Sequence, residues 1–185
     1  MGKVAIIDFG SSFTFKVVNN INSIGESIVM FKENVKAEQL KNFDHIIFTG
    51  SPDACYNGGR QVDKDILDLN IPILGICYGH QLIHYLLGGT VQRAEVPEEK
   101  GLFELFLTGE SKIFANTAQK QLVKMYHFDE VTKMADGFEN LAHTPNCKIA
   151  STQNVAKKLY TVQFHPEDEG NQFGREILEN FIKNC

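Results

Sequence analysis

The first ninety residues alternate short apolar runs with helical repeats, and few architectures accommodate that alternation. The runs "KVAIID" (3–8), "SIVMF" (27–31), "DHIIFTG" (44–50) and "IPILGIC" (71–77) are rich in β-branched residues and read as strands. Between the first two, Phe13, Val17, Ile21 and Ile24 recur at helical spacing until Gly25. Between the last two, Val62 to Leu69 is a helical candidate, and after Cys77 the residues Leu82, Ile83, Leu86 and Leu87 repeat until Gly88-Gly89 ends the pattern. Strands that are apolar throughout are buried on both faces, and joining them by helices makes them parallel. The fold class expected is therefore α/β, an open, mostly parallel sheet with helices on both faces.

The second half reads differently. "TVQRA", "LFELFLT", "LVKMYHF", "KIASTQ" and "LYTVQF" are short strands separated by turns, which extend the sheet or form a small antiparallel subsheet. Phe173, Ile177, Phe181 and Ile182 give a closing amphipathic helix. In such sheets ligands bind beyond the carboxyl ends of the parallel strands, which is where Gly50, Cys77 and the segment after Phe164 are expected.

A chain of 185 residues with no linker or repeat is expected to form one domain, 1–185. Its net charge of −5, without a basic stripe, argues against nucleic acid and anionic membrane as partners. The apolar run near the N-terminus is too short for a signal peptide and no span crosses a membrane, so a cytoplasmic protein is expected. Cys55, Cys77, Cys147 and Cys185 form no C-x-x-C pair and read as free thiols. His80 and His84 stand four apart, but Gln81 occupies the place of the glutamate in H-E-x-x-H, so no metal is expected.

"Gly-Ile-Cys-Tyr-Gly" (75–79) has the G-x-nucleophile-x-G layout of a strand-to-helix elbow. Cys77 would sit at a helix N-terminus, where unpaired N–H groups and the helix dipole stabilise a thiolate. The N–H of Tyr78 would serve as an oxyanion donor. A buried structural cysteine at the end of a strand is the competing reading. A nucleophilic thiol needs a base, and the base needs an orienting group. In "LYTVQFHPEDEG" (159–170), Pro166 holds His165 extended at a strand end, and Glu167 can return to accept from one ring nitrogen. Alone, that tripeptide is compatible with an ordinary turn bearing a solvated glutamate.

"GICYGHQ" followed by "VQFHPE" resembles the class I (triad) glutamine amidotransferases, which have a flavodoxin-like sheet, and the resemblance spans "IIDFGSSF" to "GREILENF". It implies a catalytic triad of Cys77, His165 and Glu167. It also implies an oxyanion loop in "FTGSP" (48–52), with an N–H from Gly50 or Ser51, and a substrate pocket formed by Gln81, Gly50 and the backbone near Tyr126 and His127. The segments "IDFGSSFT" and "MYHFDEVTKMADGFENLAHT" are similar to the amidotransferase portions of GMP synthases. Because the chain ends at Cys185, the separate glutamine-hydrolysing subunit found in archaea is the expected counterpart. L-glutamine is then the substrate and a distinct ATP pyrophosphatase subunit the partner. This chain would need no cofactor of its own, and ATP and Mg²⁺ would be used by the partner.

Four positions depart from the family pattern: Ser51 replaces a glycine, Ser12 a glutamine, Tyr126 a serine, and Asp168 follows Glu167 where valine is common. A side chain at position 51 would disturb the oxyanion loop if φ there were positive. The alternatives are an amidotransferase subunit of an anthranilate or aminodeoxychorismate synthase, a hydrolase that releases ammonia or cleaves γ-glutamyl peptides, and a noncatalytic regulatory relative.

Overall fold

The computed structural model describes residues 2–95 and 98–185. In chain order the elements are β1 (Lys3–Asp8), α1 (Thr14–Ile24), β2 (Ser27–Lys32), α2 (Ala37–Leu40), β3 (His45–Phe48), β4 (Ile73–Ile76), α3 (Tyr78–Leu86) and β5 (Thr90–Arg93). They continue with β6 (Glu99–Leu107), β7 (Lys120–His127), β8 (Asp129–Lys133), β9 (Glu139–His143), β10 (Ser151–Asn154), β11 (Leu159–Val162) and α4 (Gly174–Asn184).

Alternation along β1 divides the interior in two. Val4 and Ile6 point into a core closed by α1 and α4 through Val17, Ile21, Ile177 and Phe181. Ala5 and Ile7 point the other way, onto α3 through Leu82 and Ile83. Helices on both faces cover the central strands: β4 and β11 are buried at every residue. The sheet has nine strands in the order β2-β1-β3-β4-β11-β10-β9-β6-β7. From β2 to β11 the neighbours are parallel, and from β11 to β7 they are antiparallel. β5 and β8 form a separate two-stranded antiparallel ribbon. The second half thus both extends the sheet and builds a small antiparallel one.

The segment Val62 to Leu69 contracts to a 3₁₀ turn, Lys64–Asp68, started by the Asp63 carboxylate accepting from Asp65 N–H and followed by Asn70 at φ 58°. α2, β8 and β9 have no counterpart in the sequence reading. Among the described residues no helix is long and apolar enough to cross a membrane.

The carboxyl ends of β1, β3, β4 and β11 lie side by side in the parallel half. The segments that leave them carry Ser11 to Phe13, Gly50 and Ser51, Cys77, and His165 to Glu167. Four distant pieces of sequence therefore converge at one edge of the sheet.

Candidate active site

Cys77 stands between β4 and α3 with φ 53° and ψ −102°, a conformation that an L residue adopts only under constraint. Its N–H is tied to Val162 O at 2.8 Å, which fixes the elbow to the neighbouring strand. The flanking glycines have ordinary φ and are needed for close packing instead. A Cβ on Gly75 would lie 2.7 Å from Gly79 O, and one on Gly79 would lie 2.6 Å from Phe48 O. The turn is thus too tight for any other residue at these positions. The thiol is 6% exposed, and its Sγ is 3.7 Å from Tyr126 O. Tyr78, next in sequence, begins α3, where backbone N–H groups have no intrahelical acceptor. Its hydroxyl donates to Arg60 O and anchors the first turn.

β11 delivers His165 to the same edge. Its N–H donates to Lys124 O at 2.9 Å, and its Nδ1 is 2.8 Å from Glu167 Oε1, with both side chains almost wholly buried. The Phe13 ring packs on the imidazole at 4.9 Å, and a Cβ on Gly50 would come within 3.3 Å of His165 Cε1. His165 Nε2 has no hydrogen-bond partner of good geometry among the described residues, and His165 lines one cavity with Cys77. Burial opposes a charged imidazole, but the Glu167 carboxylate and the neighbouring Cys77 thiol outweigh it and hold the His165 pKa well above its ordinary value. Asp168, one of the departures, pairs with Lys16 of α1 at 2.7 Å, and Asn20 donates to Glu167 O at 3.2 Å. These two contacts clamp the turn that carries the carboxylate.

The serine at position 51 does not strain its loop. Among the described residues the non-glycine positions with positive φ are Asn70, Cys77, Asn116 and Lys158. Ser51 Oγ instead accepts from Asp53 N–H at 3.2 Å and Arg60 Nη1 at 3.3 Å, bracing the turn.

Two cavities adjoin at Cys77. The smaller, about 180 Å³, is bounded by Ser11, Ser12, Phe13 and His165. The larger, about 320 Å³, is bounded by Tyr56, Gln81, Arg93, His127, Phe128 and Asp129, and Ser51, Pro52, Cys77 and Tyr126 belong to both. Of the residues expected at the substrate pocket, Gln81, Tyr126 and His127 line the larger cavity, whereas Gly50 lines neither and packs instead against His165 and Ser11. The side chains of Gln81 and His127 are already engaged. Gln81 Nε2 donates to Asp129 O at 2.7 Å and to Gln163 Oε1 at 3.1 Å. His127 Nδ1 lies 3.0 Å from Asp129 O and its Nε2 lies 3.0 Å from Glu99 Oε2, so both nitrogens face acceptors. Tyr56, Arg93, Phe128 and Asp129 were not foreseen as pocket residues, because the β5–β8 pairing that sets Arg93 opposite Asp129, and the loop that brings Tyr56 to Asp129, leave no local mark in the sequence.

Glu99, His127 and Cys147 place potential metal-ligand atoms within 4.8 Å of one another. Their hydrogen bonding is closed, however: Glu99 Oε1 accepts from the Thr144 hydroxyl at 2.6 Å, and burial pushes the Cys147 thiol pKa up. His80 and His84 are likewise packed as neutral rings. Their ring nitrogens meet Thr161 Oγ1 at 2.7 Å and Thr152 Oγ1 at 2.9 Å, and the two hydroxyls meet at 2.6 Å.

Residues 5–185 match the family model described as glutamine amidotransferase class-I. The chain is 36% identical over 184 residues to a GMP synthase [glutamine-hydrolyzing] of Lachnospira eligens, covering 98% of this chain and 35% of the relative. It is 39% identical over 182 residues to that of Bacillus anthracis, covering 97% and 35%. The chain therefore spans about a third of the length of these relatives. The crystal structure of a Thermoplasma acidophilum protein, provisionally described as one subunit of a GMP synthase, superposes with a TM-score of 0.87 at 27% identity, covering 98% of this chain and 92% of that one. A glutamine amidotransferase from Thermotoga maritima shares the fold at 18% identity, with a TM-score of 0.78 over 90% of this chain and 76% of that one.

Proposed function

The chain belongs to the class I glutamine amidotransferases, and from that premise we propose that it hydrolyses L-glutamine on Cys77 and supplies the ammonia for GMP synthesis. The carrying observation is the constrained Cys77 elbow sharing a cavity with a buried His165–Glu167 pair.

In this reading the Cys77 sulfur attacks the side-chain amide carbon of glutamine. The resulting oxyanion accepts from the N–H of Tyr78 and from an N–H of the Gly50–Ser51 loop, a contribution typically worth about 3 kcal/mol per donor. His165, held as imidazolium beside Glu167, gives a proton to the departing nitrogen as the carbon–nitrogen bond breaks. It then takes a proton from water, which cleaves the thioester to glutamate and regenerates the thiol. The larger cavity takes the amino acid end, with Gln81 and the backbone at Tyr126 and His127 as its wall. The smaller one, on the His165 flank, receives the ammonia. No cofactor takes part in this half-reaction.

Ammonia must reach its acceptor before water protonates it. The acceptor we assign is an adenylated XMP on a separate ATP pyrophosphatase subunit, which uses ATP and Mg²⁺. Support comes from the relatives, which are GMP synthases, and from the fit to the Thermoplasma acidophilum protein described as one subunit of such an enzyme. The whole of 1–185 acts as one amidotransferase unit in the cytoplasm.

The test is a glutaminase and GMP synthesis assay with and without that subunit, ATP and XMP. Cys77→Ala should abolish glutamine-dependent GMP formation and leave ammonia-dependent formation intact. A variant that still hydrolyses glutamine at the parent rate removes Cys77 from the mechanism. Activation by a different synthase, and not by this one, reassigns the acceptor.

A further inference from the structure

We infer that Arg93 sets the specificity of the larger cavity by receiving the α-carboxylate of its ligand, so that a free amino acid is admitted in preference to one blocked at that end. The inference rests on the glutamine reading above and names what recognises the end of the molecule remote from the reacting amide.

Arg93 and Asp129 are direct partners in the antiparallel β5–β8 ladder. Directly opposed residues project from the same face with Cβ atoms about 5 Å apart, and opposite charges so placed ordinarily pair. Here they do not. Asp129 Oδ1 accepts from the Tyr56 hydroxyl at 3.0 Å, whereas the Arg93 guanidinium lies over the Phe128 ring, 4.6 Å from its centroid. Among the described residues Arg93 has no ion-pair partner. The other charged groups around the cavity are already matched: Asp53 binds Arg60 at 2.7 Å, and His127 faces Glu99 and a carbonyl.

What remains is a guanidinium with uncommitted donors, held on an aromatic platform, and a carboxylate beside it, in a cavity that reaches Cys77. A guanidinium fork matches a carboxylate bidentately. Stacking on Phe128 orders it before a ligand arrives and so reduces the entropy lost on binding. An amino acid head carries both charges at one carbon, and two unpaired opposite charges on adjacent strands suit that head better than a neutral amide or ester. The cavity volume, about 320 Å³, is within the range of small-molecule pockets.

The experiment compares alkylation of Cys77 by a diazoketone analogue of glutamine with alkylation by the α-methyl ester of the same compound, followed by intact-protein mass. In both reactions the sulfur displaces N₂ from the protonated diazomethyl carbon, so the chemistry is held constant and the carboxylate alone varies. The parent chain should react about tenfold or more faster with the free acid. Arg93→Gln should bring the two rates together by slowing the free acid, and Arg93→Lys should restore part of the preference. A preference unchanged in Arg93→Gln overturns the inference, as does a parent chain that reacts equally with both compounds, and either result leaves the glutamine reading standing. A folded parent chain inert to both compounds overturns the glutamine reading and this inference with it.

Discussion

Cys77 is held at φ 53° and ψ −102° by its neighbours, not by any preference of its own. Such a conformation costs roughly 1–3 kcal/mol in any residue with a Cβ. Cys77→Gly should therefore resist urea better than Cys77→Ala by about that amount, and equal midpoints would mean that the elbow is unstrained. His165 gives a second expectation. Burial disfavours its charge, but Glu167 and the Cys77 thiol prevail, so the imidazolium survives well above pH 6.5. A raised folded pKa means that the stabilisation is complete below the unfolded value and is lost as pH rises through the folded one. Glutamine hydrolysis should accordingly fall on an alkaline limb displaced well above pH 6.5. Glu167→Gln should bring that limb toward neutrality and lower the rate by about 10²-fold or more, as read from a pH–rate profile. Both groups were legible in the sequence because each motif is local: glycines at fixed offsets around one cysteine, and a proline beside one histidine. Arg93 and Asp129 were not, since their relation exists only in the register of two strands 36 positions apart.

At the scale of elements, α3 is joined to the sheet by contacts that admit no larger residue. Gly79→Ala would place a carbon 2.6 Å from Phe48 O, backbone that cannot swing aside. Overpacking of this kind costs about 1–3 kcal/mol, and the elbow should shift with it, so a denaturation midpoint and the rate of Cys77 alkylation should both fall. The inner face of the same helix buries His84, whose pKa burial lowers to about 4. Because the unfolded chain takes up this proton near pH 6.5 and the folded chain only near 4, stability is full above 6.5 and declines as pH falls between those values. The loss is bounded by roughly 3 kcal/mol, and His84→Gln should flatten the pH dependence of unfolding in that window. α1, α3 and the parallel strands were readable because their periods differ and the two helices stop at Gly25 and Gly88. β8 and β9 were hidden by their short, half-polar composition, as in "DEVTK" and "ENLAH". The segment from Val62 to Leu69 lost most of its helix to a 3₁₀ turn because Asp63 and Asn70 favour tight local turns at either end.

Across the whole molecule the sheet grades from interior to edge. β4 and β11 are covered on both faces, while β2 lies at one edge with Val29 43% and Met30 49% exposed. Amide hydrogen exchange should be slowest in β3, β4 and β11 and fastest in β2, and uniform protection would contradict this gradient. The site thus stands on the most firmly held strands, which suits chemistry that needs fixed distances. The two cavities add a constraint of another sort, because Ser51, Pro52, Cys77 and Tyr126 bound both. If the larger cavity holds the amino acid and the smaller one receives its nitrogen, as proposed above, these four residues form a party wall between the two rooms. On that proposal a change that thins the wall, such as Pro52→Ala, should leave the molecule leaky rather than dead: glutamate would accumulate out of proportion to aminated product, and the defect would be visible only to someone who counted both.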